Sequence, residues 1–98
     1  TALELGVPIP TIIAAVTARI MSSYKNERVE ASKQLTGPAV AFEGDVMEFV
    51  SKVRDALYCS KMCSYAQGMA LLKKASETYS FNLNLGECAR IWKGGCII

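Results

Sequence analysis

At 98 residues the chain has room for one small domain with a limited core. Eleven basic and nine acidic residues, well mixed and netting +2, exclude the concentrated positive field that nucleic acid or an anionic membrane surface would require. Hydrophobic residues make up 51%, or about 58% with the seven glycines, against roughly 45–50% for soluble domains counted that way; the chain is therefore expected to be a piece whose apolar surface is covered by something beyond it.

Thr1 to Pro10 reads as a lead-in, in which Ala2 to Leu5 make a turn that Gly6 stops and Pro8 and Pro10 frame the entry to a helix. Proline suits a first turn because its missing N–H would have no partner there. A first long helix is predicted from about Pro10 to Leu35, with the stripe Ile9, Ile12, Ile13, Val16, Ile20 and Tyr24. Beyond Tyr24 the residues turn charged, through Lys25, Glu27, Arg28, Glu30 and Lys33, so this end is expected in water and frayed near Thr36. Gly37-Pro38 ends the helix. The connection from Thr36 to Gly44 offers Val40 and Phe42 as anchors and has a length that suits an antiparallel return.

Asp45 to Tyr79 is predicted as one helix, about 50 Å long at 1.5 Å per residue, free of proline and opened by Asp45 with Glu48 three residues on, a capping pair. Val46, Phe49, Val50, Val53 and Leu57 form one stripe. From Leu57 to Leu72 apolar residues surround the axis, which predicts cover on most sides. Lys73, Lys74 and Glu77 return the helix to water. Ser80 to Leu83 is read as a short extended break, and Asn84 with Glu87 opens a third helix over Leu85, Cys88, Ala89, Ile91 and Trp92. Gly94-Gly95 allows a turn into the apolar end Cys96-Ile97-Ile98, where the sequence is expected to break off within a structure. No uninterrupted apolar run reaches the ~20 residues of a spanning helix, and Ile9 to Val16 lacks the basic segment that would make it a signal core. A soluble, reducing compartment is expected.

Nothing forms a catalytic set by spacing: there is no histidine, no phosphate-binding Gly-rich loop and no nucleotide motif. Cys59 and Cys63 lie one turn apart, but without histidine or a C-x-x-C knuckle the four cysteines, with Cys88 and Cys96, read as buried free thiols rather than metal ligands. Ser64-Tyr65-Ala66-Gln67-Gly68 places polar groups in the apolar part of the long helix, where they should cross-link helices, and Gly68 is expected at a close helix contact. Trp92 reads as a packing anchor. Arg19 lies beside the first stripe with small neighbours Ala15, Ala18, Ser22 and Ser23. A guanidinium there either grips a phosphate or carboxylate through two parallel hydrogen bonds or serves as a structural ion pair or a snorkelling surface group.

In order and spacing, several segments resemble the decarboxylating 6-phosphogluconate dehydrogenase family: Ala2-Leu3-Glu4 with Gly6-Val7-Pro8, Ala18-Arg19, Ser22-Ser23, Glu27-Arg28-Val29, Ala31-Ser32-Lys33 and Gly37-Pro38. The series continues with Ala56-Leu57-Tyr58, Ser64 to Gly68, Leu83-Asn84 and Gly94 to Ile98. The resemblance covers essentially the whole chain. It implies part of the all-helical C-terminal domain of a homodimeric, NADP-dependent oxidative decarboxylase that turns 6-phosphogluconate into ribulose 5-phosphate and CO2 in the pentose phosphate pathway. The family's arginine matching Arg19 helps bind the substrate phosphate. Its nucleotide-binding domain, its acid-base lysine and glutamate and its Lys-Gly-Thr-Gly-Lys-Trp signature would precede Thr1, and the arginine and histidine that reach the partner's site would follow Ile98. Lys93 stands where arginine is commoner.

The combined expectation is an all-α fold: a helical-bundle fragment with two long antiparallel helices and a shorter third, Arg19 on substrate phosphate, no metal, no nucleic acid, no membrane, and a cytoplasmic or plastid setting. The competing expectation is a free-standing helical interaction module without catalysis.

Overall fold

The computed structural model describes residues 1–39 and 41–94. Four helices follow one another: α1 (Pro10–Ser23), α2 (Lys25–Gln34), α3 (Val46–Tyr79) and α4 (Leu85–Ile91). Among the described residues there is no strand, as the all-α reading requires. Val40 as a loop anchor and the Gly95 turn with its Cys96-Ile97-Ile98 end lie outside the described residues.

The lead-in is a turn closed by Leu5 N–H donating to the Thr1 carbonyl at 2.9 Å and Val7 N–H to that of Ala2 at 2.9 Å. Gly6 sits at φ 65°, in the left-handed region that glycine enters without steric cost. Pro10 opens α1. The single first helix expected to Leu35 is divided at Tyr24, which has φ −76° and ψ 51°. Ser22 and Ser23 explain the break. Their hydroxyls donate back to the carbonyls of Arg19 (2.7 Å) and Ile20 (2.6 Å), competing with the helix's own ladder.

The long helix begins and ends where its capping residues predict. Asp45 Oδ1 accepts from the Glu48 N–H at 2.9 Å, and the Glu48 carboxylate turns outward to Lys52 at 2.7 Å. Phe42 does anchor the connection, its ring 4.6 Å from that of Phe49 in the first turn of α3. At the other end Ser80 takes a left-handed conformation (φ 58°, ψ 36°). The Ser76 carbonyl accepts from Ser80 and from Phe81, and its hydroxyl accepts from the Leu83 N–H at 2.9 Å. The expected extended break is thus a tight reversal, with Asn82 also left-handed. Asn84 caps α4 by accepting from the Glu87 N–H at 3.2 Å.

Packing is confined to one end. Leu5, Val7, Ile9 and Ile12 from the lead-in and α1, Tyr65, Met69 and Leu72 from α3, and Leu85, Cys88 and Trp92 from α4 are half-buried, and no described residue is fully buried. The cover expected around Leu57 to Leu72 is therefore only partial. Leu57 and Tyr58 are each 69% exposed, because α1 and α4 reach α3 only in its second half. The total accessible surface is 8396 Å², against about 5,500 Å² for a compact protein of this mass. The radius of gyration is 18.8 Å, where about 13 Å is usual at this length.

What joins α1 to α3 is a reciprocal pair between Thr11 and Gln67. The Thr11 N–H, one of the donors that a helix start leaves without an intrahelical partner, reaches Gln67 Oε1 at 2.9 Å, and Gln67 Nε2 donates to Thr11 Oγ1 at 2.9 Å. Gln67→Leu should destabilise the chain by about 1–2 kcal/mol, because Thr11 loses partners in a half-buried place. Urea unfolding followed by circular dichroism measures this, and a Thr11→Val, Gln67→Leu double-mutant cycle should show coupling rather than additivity.

Candidate anion-binding site

The last turn of α1 and the first turn of α2 carry the cations of interest. A helix end leaves its final carbonyls unpaired, and here the junction supplies partners for them in sequence. The Ile20 carbonyl takes the Ser23 hydroxyl, that of Met21 takes the Tyr24 N–H at 3.3 Å, and that of Ser22 takes Arg28 Nη1 at 3.2 Å. Arg28 reaches back from the next helix and places its charge at the negative end of the α1 dipole.

Arg19 meets the same serine by its side chain. Its Nη1 donates to Ser22 Oγ at 3.0 Å, while that hydroxyl spends its single proton on the Arg19 carbonyl. The hydroxyl's orientation is thereby set, and the guanidinium keeps its remaining N–H donors free for a bidentate acceptor. Arg54 and Arg90 pair with Asp55 (2.9 Å) and Glu87 (2.7 Å). Arg19 and Arg28 have no carboxylate partner among the described residues. Two features define the surroundings of Arg19. Arg19 stands near the end of a helix, not in its middle, and it is exposed, not in a pocket closed by this chain. Beside it Ser22, Lys25, Arg28, Val29 and Ser32 line an open cavity of about 370 Å³. The participation of Arg28 was not foreseen; the signal available was the Ser22-Ser23 pair ahead of a charged run.

The polar stretch in α3 behaves as three separate groups. Gln67 cross-links helices as expected. Ser64 instead donates to the Ser60 carbonyl of its own helix at 3.0 Å, and Tyr65 packs against Trp92 with ring centroids 6.1 Å apart and tilted by 47°. The close contact expected at Gly68 is absent: a Cβ built there meets nothing within 4 Å. Gly68 lines a mainly apolar cavity of about 340 Å³ with Ile12, Lys61, Ser64, Tyr65 and Trp92. The cysteines also depart from expectation. Cys59 and Cys63 are exposed, since no described element packs on that part of α3, and Cys88 on α4 is half-buried, while Cys96 lies outside the described residues. Among the described residues no group of three potential ligands converges on a metal position. No described helix is long and apolar enough to cross a membrane.

Residues 1–98 match the model of the 6-phosphogluconate dehydrogenase C-terminal domain family. The chain is 71% identical to a protein of Synechocystis sp. named 6-phosphogluconate dehydrogenase, decarboxylating, over 98% of the chain and 20% of that relative. Proteins of the same name from Synechococcus elongatus and Staphylococcus aureus are 70% and 57% identical, over 100% and 99% of the chain and 21% of each relative. The chain thus spans about a fifth of the length of the curated relatives it matches.

Because nothing among the described residues meets a Cβ at position 68, Gly68→Ala should stabilise the 98-residue chain by up to about 1 kcal/mol, the helix-propensity difference. A urea midpoint unchanged or lowered by the substitution would show that Gly68 does more than line an open cavity.

Proposed function

The chain belongs to the 6-phosphogluconate dehydrogenase family, and from that membership we propose that it works as part of the all-helical C-terminal domain of a longer enzyme. That enzyme oxidatively decarboxylates 6-phosphogluconate to ribulose 5-phosphate and CO2. The share of this chain is to wall the substrate pocket, hold the substrate phosphate on Arg19, and supply contacts to a second subunit through apolar faces. One observation carries the assignment: an exposed guanidinium, oriented by a serine whose own proton is already committed, and paired with no carboxylate among the described residues.

In this reading the oxidant is NADP. None of the described residues builds the strand and Gly-rich turn that cradle a dinucleotide, so in this reading its binding falls to other parts of the enzyme. The two long helices are an antiparallel pair, α1 with α2 forming one arm and α3 the other. Support comes from the Thr11–Gln67 tie, from which both arms run toward the Thr36 to Gly44 connection over nearly equal lengths. Val16, Ile20, Val50, Val53 and Leu57, all at least half exposed, suit a homodimer contact, and the setting is cytoplasmic or plastid. The same exposed stripe favours a second reading, a free-standing interaction module. That reading leaves the arrangement around Arg19 without a purpose.

The isolated 98-residue chain should show no turnover of 6-phosphogluconate with NADP and should self-associate or bind hydrophobic dye through its exposed apolar faces; a monodisperse monomer that binds no dye would favour the interaction module. In the complete enzyme, Arg19→Ala should lower kcat/KM for 6-phosphogluconate by roughly ten- to a hundredfold, the equivalent of about 1.5–3 kcal/mol for a lost charge-assisted hydrogen bond. Steady-state kinetics with KM and kcat both unchanged would refute the role of Arg19.

A further inference from the structure

Arg28 lies nine positions beyond Arg19 and on a different helix, yet the two guanidiniums converge on one residue. Arg19 Nη1 binds the Ser22 hydroxyl at 3.0 Å, and Arg28 Nη1 binds the Ser22 carbonyl at 3.2 Å. We propose that Arg28 is a positioning residue for the substrate phosphate, holding Ser22 in the last turn of α1 so that Ser22 in turn aims the Arg19 guanidinium. The inference rests on the reading of Arg19 given above.

The mechanism follows from what else could hold that turn. Ser22 lies two residues before the break at Tyr24, where the helix ladder has ended and its carbonyl has no N–H within α1 to accept. The next helix gives little help by packing. In α2 the sequence Lys25-Asn26-Glu27-Arg28-Val29-Glu30-Ala31-Ser32-Lys33-Gln34 contains only Val29 and Ala31 as apolar residues, and no residue of α2 is even half-buried. Neither apolar cover nor a carboxylate restrains Arg28, so its guanidinium is available to cap the carbonyl. If the cap is lost, Ser22 can leave the helical turn. Its hydroxyl then abandons both the Arg19 carbonyl and the Arg19 side chain, and the guanidinium must be ordered at the expense of binding. A residue that acts this way should weaken recognition of the phosphate without touching the sugar-acid end of the substrate.

The test uses the complete enzyme and two substrates, 6-phosphogluconate and unphosphorylated gluconate. Arg28→Ala should raise KM for 6-phosphogluconate about five- to tenfold with kcat within twofold, and should leave kcat/KM for gluconate unchanged. Arg28→Lys, which keeps a donor and the charge, should recover most of the loss, and Ser22→Ala should reproduce it. In an Arg19→Ala background the Arg28→Ala change should add nothing further. Equal losses on both substrates, or a lowered melting temperature with KM unchanged, would mean that Arg28 is merely structural. Additive losses in the double variant would mean that Arg28 binds phosphate by itself. Either result overturns the proposal while leaving Arg19 in place. Indifference of KM to Arg19→Ala would instead bring down the underlying reading. If Arg28→Ala does not fold, Arg28→Lys and Ser22→Ala decide the matter on the same two substrates.

Discussion

The amide of Gln67 is the constraint on which this architecture depends. A primary amide offers one acceptor and two donor positions on a planar group, and here it meets a backbone N–H and a hydroxyl of the same residue, Thr11. Both distances are short, and the pair fixes the start of α1 at one height on α3. The half-buried residues of the lead-in, α1 and α4 gather around that height. Away from it the residues of α2 and of the first half of α3 are almost all exposed, and the continuity of these helices comes from capping, local ion pairs and the length of α3 itself.

Two helix ends are treated with unusual economy. At the α1–α2 junction two serine hydroxyls, one N–H and one guanidinium attend to carbonyls that the interrupted ladder leaves open. At the end of α3 a single residue, Ser76, accepts three N–H donors through its carbonyl and hydroxyl. Both solutions are local, and both survive where apolar burial is slight. They explain how a chain exposing 8396 Å² holds defined helix boundaries: the boundaries depend on short-range hydrogen bonds, not on a core.

Much of the fold was legible because it is local. Pro10, Asp45 with Glu48, and Asn84 with Glu87 announce helix starts by chemistry that acts within one turn, and Gly6 announces a left-handed position. The division at Tyr24 was not legible. The apolar stripe stops at Tyr24, but the charged run that follows reads equally well as the solvated continuation of one helix, and the serine back-bonds beside the break leave no mark in periodicity. Cover over Leu57, Cys59 and Cys63 is not supplied by the described residues for another reason: composition records that a surface needs burial, not whether the burying element belongs to the same chain. The site was half legible. Arg19 could be singled out from its small neighbours, whereas the convergence of Arg28 on Ser22 depends on a break that pattern alone conceals.

That break has a mechanical consequence. Among the described residues no residue of α2 is even half-buried, so within this chain a tilt about Tyr24 would move an arm about 15 Å long. A swing of some 20° moves its far end by about 5 Å, while Arg28, one turn from the hinge, shifts by only a fraction of that. The outer half of α2, from Glu30 to Gln34, is therefore the part of the chain whose position a small tilt alters most. The inner turn has no such latitude, because its guanidinium is tethered across the hinge.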